Sequence, residues 1–191
     1  MKKILIIAMF LFVGCIPSTY NISQLPIEKI KTANKPSKAN SWTVLHYVDE
    51  FRQKTDKKYI FGQIFDGKFS NSIVTDRKLN VEFFIDTNSV SFELFEYKDI
   101  PKKGFSTKYY TVKTLQNNIK SSFTVKQLQG SQRFTFSPQD GITIINMLLD
   151  DDNNIQFYMT DNGYWSEYRF TLPTKGFGGD FRQMLEEYGI L

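Results

Sequence analysis

The chain has 191 residues, with 24 Lys and Arg against 20 Asp and Glu, one His and one Cys, for a formal net charge of +4. That length fits one domain with a sizeable core, and so balanced a charge gives no electrostatic case for a nucleic-acid partner. A lone thiol excludes a disulfide framework. With one histidine it also leaves too few ligands for a zinc site.

The chain opens with Lys2 and Lys3, followed by an apolar run from Ile4 to Val13. Ten helical residues rise about 15 Å, half of the roughly 30 Å that a spanning helix must cross. The pattern is therefore that of a signal-peptide core. Phe12-Val13-Gly14-Cys15 resembles the lipobox of bacterial lipoproteins. That resemblance implies recognition by the lipoprotein signal peptidase through Phe12, Val13 and Gly14, cleavage before Cys15, and acylation of Cys15 by diacylglyceryl and palmitate-type chains. Several acyl chains hold a protein on a membrane essentially permanently. Ile16 in place of aspartate implies, by the same resemblance, the outer membrane facing the periplasm. Loss of Lys2 and Lys3 lowers the net charge from +4 to +2.

Residues 1–14 are thus expected to be a signal peptide, 15–40 a lipidated cysteine on a tether, and 41–191 a β-rich globular domain. The tether carries Pro17, Pro26 and Pro36 with few large apolar residues. As a coil, its 25 residues after Cys15 span about 25–30 Å. Ile22, Leu25, Ile27 and Ile30 are the positions at which it could instead dock.

In the domain, Trp42 to Val48 reads as a strand, and Asp49 to Lys57 as a loop or one helical turn. Lys58 to Phe65 and Lys68 to Thr75 flank Asp66-Gly67, a two-residue hairpin signal. Leu79, Val81, Phe83 and Ile85 alternate with polar residues, as do Val90, Phe92 and Leu94, and the two runs predict an antiparallel hairpin. Pro101 and Gly104 mark a loop over 98–106. Thr107 to Leu115, Ile119 to Leu128 and Gln132 to Phe136 are further strands. The period then changes: Ser137-Pro138 with Ile142, Ile145, Leu148 and Leu149 predicts a helix capped by serine. Ile155 to Thr160 and Tyr164 to Leu172 flank Asp161-Asn162-Gly163, another hairpin signal. Asp180 to Tyr188 closes the chain as a helix, with Asp180 and Gln183 in a capping box. The sum is a mainly β, α+β domain. We expect a single antiparallel β-sandwich or partly open barrel of about eight strands, with one helix before the last hairpin and one at the C-terminus.

Four groups of side chains are candidates for chemistry. His46 lies in a strand beside Val44 and Val48 and is read as packed. Asp150-Asp151-Asp152 carries oxygen ligands that suit calcium but lacks the glycine and glutamate of an EF-hand loop, so a solvated helix end is expected. Gly176-Phe177-Gly178-Gly179 departs from phosphate-cradle spacing and is read as a flexible loop. Glu82, Asp86 and Glu93 alternate outward with no pair identifiable for a carboxylate-based hydrolase. No cofactor is implied. Phe84, Phe95, Tyr97, Tyr110, Tyr158 and Trp165 fall on the exposed phase of a two-layer sandwich and would form a binding face there; in a barrel they would be buried.

Trp42, Thr55-Asp56, the successive hairpins and Gly176-Phe177 before a terminal helix resemble small exported β-sandwich proteins. These are the invasion-associated-locus-B and type VI secretion accessory lipoprotein groups. The resemblance carries over no functional residue. The expected function is that of a non-enzymatic, membrane-anchored binding or accessory module for a protein or envelope component, with no nucleic-acid partner. The alternative is an immunity or inhibitor lipoprotein that blocks a toxin or lytic enzyme.

Overall fold

The computed structural model describes residues 24–33, 42–97, 100–161, 163 and 165–191. Phe12, Val13, Gly14, Cys15 and Ile22 lie outside them. Nine strands follow in chain order: β1 (Trp42–Val48), β2 (Lys54–Asn71), β3 (Arg77–Ile85), β4 (Val90–Phe95), β5 (Lys108–Gln116), β6 (Ile119–Gln127), β7 (Arg133–Phe136), β8 (Ile155–Asp161) and β9 (Ser166–Leu172). Among the described residues three helices accompany them: α1 (Ile27–Lys31), α2 (Pro138–Leu148) and α3 (Phe177–Glu187).

Eight strands close an antiparallel barrel in the order β2–β3–β4–β7–β6–β5–β8–β9 and back to β2, with β1 added outside on β2. Of the two architectures expected, the barrel is the one formed, and it is closed by the pairing of Lys68 with Arg169 through to Asn71 with Ser166. Closure pairs both edges of the eight barrel strands and so removes edges that would template association; β1, paired only with β2, is the exception.

The expected hairpin at Asp66-Gly67 is corrected to a bulge within one strand. Ile64 faces Val81 but Gly67 faces Leu79, so β2 holds one extra residue there and Phe65 and Asp66 both turn outward. An 18-residue strand would run roughly 60 Å if straight. The bulge bends it: both halves pair with β3 on one edge, while on the other the first half pairs with β1 and the second with β9. The β2–β3 turn lies five residues later, where the Asn71 Oδ1 accepts from the backbone N–H groups of Ile73 and Val74 and Asp76 has φ +50°.

Alternation places one residue in two inside. Phe83, Phe92 and Phe134 stack in series at centroid distances of 5.2 Å, and Phe157 stacks on Phe170 at 4.9 Å. Leu79, Val81, Val112, Val125 and Met159 fill the remainder. Side chains therefore occupy the interior, as an eight-stranded barrel allows.

Two connections cross the ends of the barrel. From β7 to β8 the chain passes through α2, capped by the Ser137 Oγ, which accepts from the Asp140 N–H at 3.2 Å; Ile142, Ile144, Ile145 and Leu148 are buried beneath it. This end is the helix pole. From β4 to β5 the described residues 96–97 and 100–107 lie at the opposite end as a strap, which defines the strap pole. β5 and β6 turn through Asn117-Asn118, both at positive φ, as a two-residue hairpin of the twisted kind requires.

α3 also packs at the helix pole. Its N-cap is Gly176, at φ +83°, with no side-chain cap bond, so the helix starts before Asp180 and the expected capping box is not formed. The glycine run expected to be a loop is instead its first turn: Phe177 is buried and stacks on Phe181 at 5.3 Å. Trp42 meets Phe177 edge-on at 5.1 Å and donates its indole N–H to the Pro173 carbonyl at 2.9 Å. A Cβ on Gly62 would stand 2.3 Å from the Trp42 ring, so only glycine lets the indole lie flat on β2. Leu25 and Ile30 lie in the core, which is the docked alternative for that part of the chain. Arg182 donates to the Lys31 carbonyl at 2.8 Å and Lys29 to the Asn146 carbonyl at 3.2 Å. The N-terminal segment therefore reaches the barrel at the helix pole.

Candidate functional site

The strap is held down from below by a polar cluster that is half-buried at Glu96 and Lys102 and fully buried at Gln127. Glu96 accepts from Lys102 Nζ at 2.7 Å and from the Tyr168 hydroxyl at 2.7 Å, and Lys102 also donates to that hydroxyl. Gln127 is fully buried. Its amide donates to the carbonyls of Lys102 at 3.0 Å and Ser131 at 3.2 Å, and its oxygen accepts from the Tyr110 hydroxyl at 3.4 Å. The backbone completes the clasp: the Lys102 N–H donates to Leu94 and the Gly104 N–H to Ser131. A Cβ on Gly104 would meet the Leu128 carbonyl oxygen at 2.9 Å, so this crossing too requires glycine.

Burial, reinforced by the Glu96 charge, keeps the Tyr168 phenol protonated far above its ordinary range. Burial first, then Asp161 and Glu96, pushes Tyr110 up to about 12. A neutral phenol, a satisfied ion pair and a bonded amide make a rigid lid with its hydrogen bonds made inside. The surface above that lid is where the site lies.

That surface is apolar to an unusual degree. Twelve large hydrophobic residues are exposed among those described, and seven of them surround the strap pole: Ile73, Tyr97, Ile100, Phe105, Tyr109, Leu128 and Trp165. Phe105 is 93 % exposed, Ile73 85 % and Trp165 71 %. They come from the β2–β3 turn, the strap, the two strand ends beside it and the β8–β9 turn. Exposed cations stand among them: Arg77, Lys78, Lys103, Lys108 and Lys126, the last lying 5.9 Å above the Tyr109 ring. Exposed apolar side chains gathered at one end of a domain point to an interaction site there.

The six aromatics named from sequence separate into three places. Phe95, Tyr97 and Trp165 reach the strap pole: Phe95 and Tyr97 line a hollow with Ile100, and Trp165 borders a second one beside Asn71. Phe84 and Tyr158 lie on the outer walls of β3 and β8. Tyr110 points into the barrel and is 3 % exposed, as the barrel alternative requires.

No family model matches the chain, and neither a curated protein nor a solved structure matches it. The other candidates are therefore weighed on geometry alone. On the outer wall Gln63, Glu82, Glu93 and Arg133 stand in one row across β2, β3, β4 and β7. Glu82 and Glu93 are thus directly opposite, a pairing the sequence reading did not identify. Gln63 donates to Glu82 at 3.0 Å, and Arg133 donates to Glu93 at 3.3 Å while lying 4.2 Å over Phe84. Desolvation, then the Glu93 charge, raises the Glu82 carboxyl above its usual value. His46 holds the β1–β2 hairpin: its Nδ1 donates to the Thr55 carbonyl at 2.8 Å. Asp150 accepts from Asn117 at 2.8 Å and Asp151 from the Gly176 N–H at 2.9 Å, so both carboxylates tie down loops. Among the described residues no three His, Cys, Asp or Glu side chains converge as metal ligands would.

Proposed function

We propose that the protein is a lipid-anchored adaptor of the bacterial envelope, held at Cys15, whose strap pole docks on a protein component of that envelope. The observation that carries this reading is polarity. The N-terminal segment joins the barrel at the helix pole, through the contacts of Lys29 and Lys31, while seven exposed apolar side chains gather at the other. A domain tethered at one end with adhesive surface at the other presents that surface away from its anchor. Aromatic anchors amid cations suit an acidic protein face with apolar pockets. Because side chains fill the barrel interior, small-molecule transport inside it is not favoured.

The test is site-specific photo-crosslinking in intact cells, with the reactive group at Phe105 or Trp165 on the strap pole and at Ile119 on the helix pole. The expected result is a discrete protein adduct from the two strap-pole sites, absent from Ile119 and lost when Cys15→Ser frees the chain from the membrane. Equal adducts from Ile119, lipid adducts alone, or no adduct at Phe105 and Trp165 would overturn the reading.

A further inference from the structure

The half of the barrel wall away from Glu82 and Glu93 carries the opposite charge. Register places Ser122, Lys113, Tyr158, Arg169 and Lys68 side by side across β6, β5, β8, β9 and β2. Alternation turns all five outward, since Phe123, Val112, Phe157, Phe170 and Phe69 point in. One step toward the helix pole, the next row holds Lys120, Leu115, Gln156 and Thr171. Both rows floor a trough of about 720 Å³, in which Asp66 is the lone acid.

The arrangement costs energy in the absence of a ligand. Lys68 and Arg169 are directly opposite, and like charges in that position repel. Arg169 is relieved by Asp76 at 2.7 Å, an exposed pair of the kind worth little. Lys68, Lys113 and Lys120 form no ion pair among the described residues.

We infer that this trough binds an anionic glycan. Three observations select that class. Strands stand about 4.8 Å apart, so Lys113 and Lys68, three strands apart, span about 14 Å; an extended polyanion reaches both and a single small ion does not. Tyr158 and Leu115 supply the apolar strip on which a sugar ring packs. Ser122, Gln156 and Thr171 border it with hydroxyl and amide groups that match sugar hydroxyls. Single-stranded nucleic acid would call for a succession of stacking aromatics, and the trough offers one. The trough lies on the side wall between the two poles, so it leaves the strap pole free and does not depend on the docking reading.

The test measures binding of the full chain carrying Cys15→Ser to five probes: polygalacturonate, a phosphomannan, uncharged dextran, poly-L-glutamate and oligo-dT. The expected result is binding to one or both of the first two, weakening as salt rises, with at least tenfold lower affinity for the other three. Preference between polygalacturonate and phosphomannan assigns the anionic group as carboxylate or phosphate. Lys113→Gln with Arg169→Gln should weaken that binding at least tenfold, and Tyr158→Leu should weaken it while leaving its salt dependence intact. Lys54→Gln with Lys57→Gln, on the β1–β2 hairpin, should leave it unchanged. Urea midpoints equal to that of the parent show that each variant is folded. Absence of glycan binding, equal binding to poly-L-glutamate or oligo-dT, or an equal loss from the Lys54 and Lys57 variant would overturn the assignment.

Discussion

Gln127→Leu tests whether the strap is held by its polar cluster. Gln127 has no solvent exposure, and leucine fills most of its volume, so the change is mainly one of hydrogen bonding. The Ser131 carbonyl keeps a donor, the Gly104 N–H. The Lys102 carbonyl loses its Gln127 partner at 3.0 Å, and the Tyr110 hydroxyl loses its acceptor at 3.4 Å. Each buried group stripped of its partner costs about 1–3 kcal/mol. The Tyr110 bond is long and contributes the smaller share, which puts the sum at about 2–4 kcal/mol. For a chain of this length that is roughly 5–15 °C in Tm. The loss should be local before it is global: amide exchange should accelerate at Lys102 and Gly104 while the β3–β4 hairpin stays protected. Urea unfolding with residue-resolved hydrogen exchange measures both. A cost under about 0.5 kcal/mol, or strap amides protected as in the parent, would refute the clasp and with it the rigidity assigned to the strap pole.

Two further substitutions probe the barrel itself. Gly62→Ala sets a methyl carbon 2.3–2.9 Å from three Trp42 ring atoms, so the indole must lift from β2; overpacking of this kind costs about 1–3 kcal/mol. A urea midpoint within error of the parent would show that the indole moves freely. Glu82→Gln probes the carboxylate row. The folded-state value of Glu82 is raised, so the folded chain holds that proton to higher pH than the unfolded chain does. Stability is therefore lost as pH climbs from the ordinary carboxylate range through the raised value. Removing the charge should add about 0.5 kcal/mol at pH 7, the scale of a cross-strand like-charge pair, and nothing below about pH 4, where both states are protonated. A variant less stable than the parent at pH 7 would contradict that sign.

How far the sequence discloses this molecule depends on the range of the forces involved. The β3–β4 hairpin is legible because Leu79 to Ile85 and Val90 to Leu94 alternate cleanly around a polar turn. The start of α2 is legible because Ser137 and Pro138 act on their own helix. Asp66-Gly67 misleads because the same dipeptide serves a turn or a bulge, and the choice is made by β1 and β9 competing for the same edge of β2. The Gly-rich start of α3 reads as a loop because its glycines lower helix propensity, while the burial of Phe177 under Trp42, 135 positions earlier, outweighs that cost. The strap pole was found in part. Phase points to Tyr97 and Trp165, whereas nothing in the alternation marks Phe105, Ile73 or Tyr109. Their signal was local: one large apolar residue set alone in a run of Gly, Ser, Asn or Lys, or adjacent to a core residue, as Tyr109 is to Tyr110. The basic trough leaves little linear trace, since only Lys113 and Lys120 share a hairpin and Lys68 and Arg169 join them through the β5–β8 and β9–β2 pairings.

The strap pole draws six of its seven exposed side chains from separate connections, Tyr109 standing at the start of β5, and none belongs to the packed interior. These exposed side chains can be exchanged or reversed in polarity while Lys102 and Gly104 keep the strap clasped and the barrel strands keep their register. The pole is therefore a modular keyboard on a fixed frame. Grafting new residues into the β2–β3 turn, the strap or the β8–β9 turn offers a route to redirect what the protein holds without redesigning how it folds.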